Sequence, residues 1–151
     1  MKYLKRTSHN ITENFTYNLL KDRGVIEDSN WKNYIKPTKE NENSPFSLDN
    51  MEEGVKLLNE NLNNEILVIA DSDFDGFSSA ALIWNFIKEL NSEAKLTYLL
   101  PEGKEHGFQT KMPYLLEKKR ADLIIMPDAG SNDHEEMKQL KEFGYKMLTL
   151  D

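Results

Sequence analysis

Three aspartates at alternate positions, Asp71, Asp73 and Asp75, are followed at once by Gly76, and these residues are the chain's best candidates for chemistry. Carboxylates so close together repel one another and destabilise a fold unless a positive partner compensates them. The usual partner is a divalent cation, and ligands that are all oxygen favour a hard one, Mn²⁺ or Mg²⁺. Other acids extend the pattern. Asp128 follows the apolar run Leu123–Pro127, and Asp151 follows Lys146–Leu150.

The elements that must position these acids are legible from Glu65 onward as an alternation of strands and helices. Apolar runs predict strands at 66–70, 95–100, 122–127 and 146–150. Helices are expected at about 77–90, 110–119 and 133–143, with Gly144 closing the last as a C-cap. The helix at 77–90 has apolar residues on several sides, as expected for a deeply buried crossover. Such alternation predicts an α/β fold, a doubly wound parallel sheet flanked by helices. In these sheets ligands bind at the carboxyl ends of the strands. Three of the four strands deliver aspartate to that edge, a pattern more specific than any one acid.

Before the sheet lies a mainly helical N-terminal lead-in. Phe15, Leu19 and Leu20 mark a helix over 13–23 that stops at Gly24, and Met51, Val55, Leu58 and Leu62 mark another over about 49–62. Val25–Ile35 reads as a connector carrying Trp31 and Tyr34, and the polar stretch Lys36–Asn50, with Pro37 and Pro45, as a loop. The expected division is a lead-in over 1–63 and a second domain over 64–151.

Composition narrows the function. The chain has 151 residues and no cysteine, which excludes disulfides, zinc–thiolate sites and thiol nucleophiles and fits a cytoplasmic protein. Its apolar runs are far too short to span a membrane, and the basic start lacks the apolar run of a signal peptide. The net charge of −7 argues mildly against nucleic-acid binding, but it is uneven. Residues 1–40 carry eight Lys/Arg against five Asp/Glu, and residues 41–151 carry eleven against twenty-one.

The acidic loop has rivals to a two-ion site. An EF-hand would need a bidentate Glu at its twelfth position, which is Leu82, and a helix rather than a strand before it. A haloacid-dehalogenase phosphatase would use Asp71 as nucleophile and Asp73 as acid/base partner, but that pattern has Thr or Val where Asp75 stands. Capping of the following helix explains one aspartate and leaves two unexplained.

Taken together, these residues resemble the DHH phosphoesterase superfamily, and within it the RecJ single-strand-specific exonucleases. Ile69-Ala-Asp-Ser-Asp-Phe-Asp-Gly76 is similar to the first motif. Met126-Pro-Asp-Ala-Gly130, followed by Asn132 and His134, resembles the second, with Ala129 where Cys is usual. Asp151 falls where the Asp-His-His motif begins. Leu19-Leu-Lys-Asp-Arg-Gly-Val25 and Pro45–Met51 are similar to the RecJ lead-in.

The resemblance implies that Asp73 and Asp75 ligate metal, that Asp128 bridges two ions, and that Asp71 supports the loop or a water. Asp151 would orient a following histidine. It further implies single-stranded DNA as substrate, hydrolysed from one end with two Mn²⁺ or Mg²⁺ ions, in DNA repair, recombination or replication. Pro101–Phe108 keeps only part of the RecJ loop that carries an Arg and Glu-Gly-Tyr-Gly, and Lys104 is the candidate to meet substrate phosphate there. Trp31, Tyr34 and Phe108 are candidates to stack on bases. Because the chain stops on Asp151, the expectation is of a fragment that binds Mn²⁺ weakly and has little activity alone. The alternatives are a catalytically inactive DHH-fold binding module, or a DHH phosphoesterase acting on short oligonucleotides or small phosphate compounds.

Overall fold

A computed structural model of the protein describes residues 15–26, 31–104 and 106–151. The chain divides into two compact units, Met1–Asp49 and Asn50–Asp151.

In the first unit, α1 (Phe15–Asp22) ends where Gly24 adopts φ +67°. There the Gly24 and Val25 amides donate to Lys21 and Leu20 carbonyls, the pattern of a glycine C-cap. The start of the expected helix, residues 13 and 14, lies outside the described residues. The expected connector 25–35 contains a helix, α2 (Trp31–Ile35). Five residues are too few to display a helical period, so the sequence hides it. Trp31 packs edge-to-face on Tyr17, with ring centroids 5.7 Å apart. Two single 3₁₀ turns, Lys39–Asn41 and Pro45–Ser47, punctuate the loop that follows.

The second unit begins with α3 (Met51–Asn61) and continues as β1 (Glu65–Ile69), α4 (Phe74–Leu90), β2 (Lys95–Leu99), α5 (Met112–Glu117), β3 (Leu123–Pro127), α6 (His134–Glu142) and β4 (Lys146–Leu150). All strand pairs are parallel, in the order β2-β1-β3-β4. The central pair is set by Leu67 opposite Ile124, and the β3–β4 register places Pro127 opposite Leu150. Asp128 and Asp151 therefore leave neighbouring strands at one level, and the Asp128 amide donates to the Leu150 carbonyl at 2.8 Å.

Alternating residues of the central strands feed two cores, one on each face of the sheet. Ile66, Val68, Leu123 and Ile125 pack with Leu57, Leu58 and Leu62 of the α3 region and with Ala80, Ile83, Trp84 and Ile87 of α4. Leu67, Ile69, Ile124 and Met126 pack with Met112 and Leu115 of α5 and Met137 and Leu140 of α6. Helices thus cover both faces, and the sheet is doubly wound. Gly144, at φ +102°, closes α6 with its own amide and that of Tyr145 donating to Lys141 and Leu140 carbonyls.

Two expectations about α4 need correction. The helix starts at Phe74 rather than 77, because Asp73 supplies the N-cap and draws Asp75 and Gly76 into the first turn. Nor is it deeply buried: Phe77, Leu82, Phe86 and Leu90 are exposed, and only Gly76 and Ile87 are fully buried. Its apolar residues exceed what one sheet face can cover.

Candidate metal centre and its supporting loop

The acidic site is assembled from the carboxyl ends of β1, β3 and β4 and the first turn of α4. Asp73 Oδ1 accepts the Gly76 amide at 2.9 Å, which satisfies one of the unpaired donors of the helix N-terminus. Asp75 follows within that first turn. Gly76 has to be glycine because the helix passes hard against the end of β1. A Cβ there would stand 2.5 Å from Asp71 Cβ and 2.8 Å from the Asp71 backbone.

Asp128 sits in the left-handed backbone region, at φ +66°. Aspartate tolerates that conformation better than most side chains, yet it is the kind of local strain that gathers at functional sites. Burial pushes the Asp128 carboxyl above its ordinary pKa, and the charges of Asp73, Asp75, Asp71 and Asp151 push it further. Five carboxylates from three strand ends are thereby coupled electrostatically. Asp151 Oδ2 also accepts the Ser131 amide at 3.2 Å, tying the end of β4 to the loop after β3.

Asp71 is different from its neighbours, being almost wholly buried. One of its oxygens lies 2.6 Å from His106 Nδ1, and the other accepts the Gly107 amide at 3.3 Å. Both oxygens therefore hold the loop between β2 and α5. That loop is fixed twice more: Asp133 Oδ2 accepts the Phe108 amide at 2.8 Å, and buried Lys111 donates to the Gly107 carbonyl at 2.9 Å. Gly107 adopts φ +70°, and a Cβ on it would meet the Asp133 carboxylate at 2.1 Å.

His106, Lys111 and Asp133 were not among the residues singled out from sequence. The available signal was the pair His106-Gly107, a titratable residue beside a glycine in the loop after a strand. Lys104 stands exposed two residues before His106. Phe108 corrects an expectation outright: it is fully buried in the core and cannot stack on a base. Of the other aromatics proposed for stacking, Tyr34 is exposed and Trp31 half-buried.

The donor set suits a hard divalent cation, since every candidate ligand is a carboxylate oxygen. Burial and then the neighbouring carboxylates raise the Asp128 pKa, so a cation there would favour its ionised form. The geometry is less complete than the electrostatics. Among the described residues no three carboxylate or imidazole groups form a finished ion cage. No helix among the described residues is long and apolar enough to cross a membrane.

Comparisons with known proteins agree with this architecture. The model of the DHH family, N-terminal domain, matches residues 65–151. YorK of Bacillus subtilis (strain 168), named as a putative SPbeta prophage-derived single-strand DNA-specific exonuclease, is 35% identical over 136 residues. The protein of the same name from Bacillus phage SPbeta matches equally. Each match covers 88% of this chain and 22% of the relative, so the chain spans about a fifth of their length. The crystal structure of RecJ in complex with Mn²⁺ from Thermus thermophilus matches with a TM-score of 0.58 at 25% identity. It covers 86% of this chain and 17% of the RecJ chain. With that family model matched over more than half of its length, this chain belongs to the DHH family, N-terminal domain.

Proposed function

We propose that the chain carries the first acidic half of a RecJ-like phosphodiesterase active site, which hydrolyses single-stranded DNA from an end. The observation that carries this reading is the convergence of Asp71, Asp73, Asp75, Asp128 and Asp151 on the carboxyl edge of three neighbouring strands. The names of the two prophage and phage relatives, and the Mn²⁺ in the RecJ structure, supply the substrate class and the metal.

In this reading Asp73, Asp75 and Asp128 are the residues that would hold the divalent cations, Mn²⁺ or Mg²⁺. Bound divalent cations lower the pKa of water and neutralise charge on phosphoryl oxygens. The protein's own part is positional. Asp73 is fixed by the Gly76 amide, Asp71 by the 106–107 loop, and Asp151 by the Ser131 amide, so the carboxylates meet an ion already oriented. The N-terminus of α4, 17 residues long, faces the same edge and favours an anionic phosphate there. The helical lead-in over 1–63 and the DHH portion over 64–151 then act within a longer enzyme of DNA repair or recombination in the cytoplasm.

One observation favours a second reading, an inactive DHH-fold binding module: the absence, among the described residues, of a finished ion cage. A chimera separates the two. The matching segment of YorK is replaced by this chain and assayed on end-labelled single-stranded DNA with Mn²⁺. Degradation that Asp128→Asn abolishes is expected. A folded, inert chimera contradicts the enzyme reading.

A further inference from the structure

The carboxylate–imidazole pair of Asp71 and His106 does more than close a loop. Asp71 spends both oxygens on residues 106 and 107, which leaves it poorly placed to ligate an ion and well placed to orient a ring. With Nδ1 engaged at 2.6 Å, the His106 ring has a fixed direction and one remaining nitrogen, Nε2. The His106 side chain is 65% exposed although Asp71 beneath it is 4% exposed, so the ring stands at the solvent surface on a buried anchor. The residues that follow it are held in place. Asp133 accepts the Phe108 amide, Lys111 grips the Gly107 carbonyl, and the Phe108 side chain is wholly buried. A solvated loop residue needs none of this support.

We propose that His106 contacts a phosphate of the bound DNA strand through Nε2, with Asp71 as the positioning residue that orients its ring. This rests on the nuclease reading above and assigns to His106 the part expected of Lys104. The choice between the two follows from geometry: the structure anchors His106 beside the acids, whereas the flexible Lys104 side chain would lose more freedom on contact. The hydrogen bond to Asp71, and then its charge, raise the His106 pKa, with Asp73 adding to the effect and partial burial and Lys111 opposing it. With Nδ1 engaged by Asp71, Nε2 is the nitrogen left to meet a phosphate oxygen.

Two substitutions separate a phosphate contact from a clamp. In His106→Asn the amide reaches only as far as Nδ1, so it keeps the Asp71 clamp and loses the group at Nε2. In His106→Gln the amide reaches about as far as Nε2. Affinity for a fluorescein-labelled oligo(dT) is read by anisotropy at low salt with Mn²⁺, beside Mn²⁺ calorimetry and thermal melting of the same variants. We expect His106→Asn to bind the oligonucleotide about tenfold more weakly, with manganese affinity and melting temperature unchanged, and His106→Gln to recover part of the loss. DNA affinity unchanged in His106→Asn would reduce the ring to a clamp. Manganese affinity lost with it would make the ring a ligand, and either result overturns the proposal. A wild-type chain that binds manganese but no oligonucleotide overturns the proposal, whereas the nuclease reading is decided by the chimera.

Discussion

Replacing Gly76 with alanine tests whether the site is built on a close approach between α4 and the end of β1. Two effects oppose each other. Alanine is the better helix former, by about 1 kcal/mol in a helix interior and less in a first turn. Against that, the new methyl would lie 2.5 Å from Asp71 Cβ and 2.8 Å from both Asp71 Cα and its carbonyl carbon. None of these atoms is the end of a flexible side chain, so the backbone itself must move. Overpacking of this kind costs about 1–3 kcal/mol. The expected balance is a loss of roughly 1–2 kcal/mol, read from urea denaturation followed by far-ultraviolet circular dichroism.

Gly54→Ala is the matched control. It lies within α3, and its added methyl would meet only Leu148 Cδ1, at 3.3 Å, a side-chain tip that can rotate away. Here helix propensity should win, with a gain of about 0.5–1 kcal/mol. If Gly76→Ala were as stable as the wild type, or more so, the close approach would not constrain the site and the reasoning about Gly76 would fail. A parallel loss in both variants would show that neither contact governs the outcome.

Tyr145 and Asp122 offer two further predictions. The buried Tyr145 hydroxyl donates to the Leu115 carbonyl at 2.9 Å and accepts the Arg120 amide at 3.0 Å, so it pins the end of α5 to the start of β4. Tyr145→Phe should cost about 1–3 kcal/mol in the same denaturation experiment, because it strands buried backbone groups; a change below about 0.5 kcal/mol would mean that water replaces the hydroxyl. Asp122 is held below its ordinary pKa first by Lys119 and then by the Glu65 amide. Since its folded pKa is depressed, its contribution is present above the ordinary carboxylate value, about 3.9, and is lost as pH falls through the folded value. Thermal melting between pH 6 and 2 should therefore show a shallower acid decline for Asp122→Asn than for wild type. Its side chain is 44% exposed, so the difference should shrink in high salt.

Much of the architecture was legible because its causes are local. Apolar runs such as Ile66–Ile69 and Leu123–Met126 serve two buried faces at once, and chain order then dictates parallel strands and an acidic carboxyl edge. The short helix α2 was not legible, because Trp31–Ile35 is shorter than two helical turns. The start of α4 was misplaced for a chemical reason. Asp73-Phe-Asp-Gly76 looks like a loop of acids, yet Asp73 caps the helix and Phe74, 84% exposed, opens it on the solvent side. Phe108 was named among the aromatics that could stack on a base, although its ring lies in the core.

Within the site, the aspartates of the carboxyl edge could be named from alternation alone. The resemblance set Asp71 apart as support for the loop or a water, but its hold on the loop after β2 could not be foreseen. It depends on His106 and Gly107, 35 and 36 residues away in sequence, and no spacing rule links them. Asp133 and Lys111 were hidden for the same reason, since their partners are backbone groups of a loop whose path only the fold determines.

Whether Asp73 and Asp128 belong to one cation site is decided by calorimetric titration with Mn²⁺. The variant to compare with wild type is Asp73→Asn/Asp128→Asn, because asparagine preserves the cap at 73 and tolerates the left-handed backbone at 128. The account predicts binding by the wild-type chain, released protons that grow in number as pH falls toward the raised Asp128 pKa, and loss of binding in the double variant. Binding of equal strength in the folded double variant would place the ion elsewhere and contradict the account.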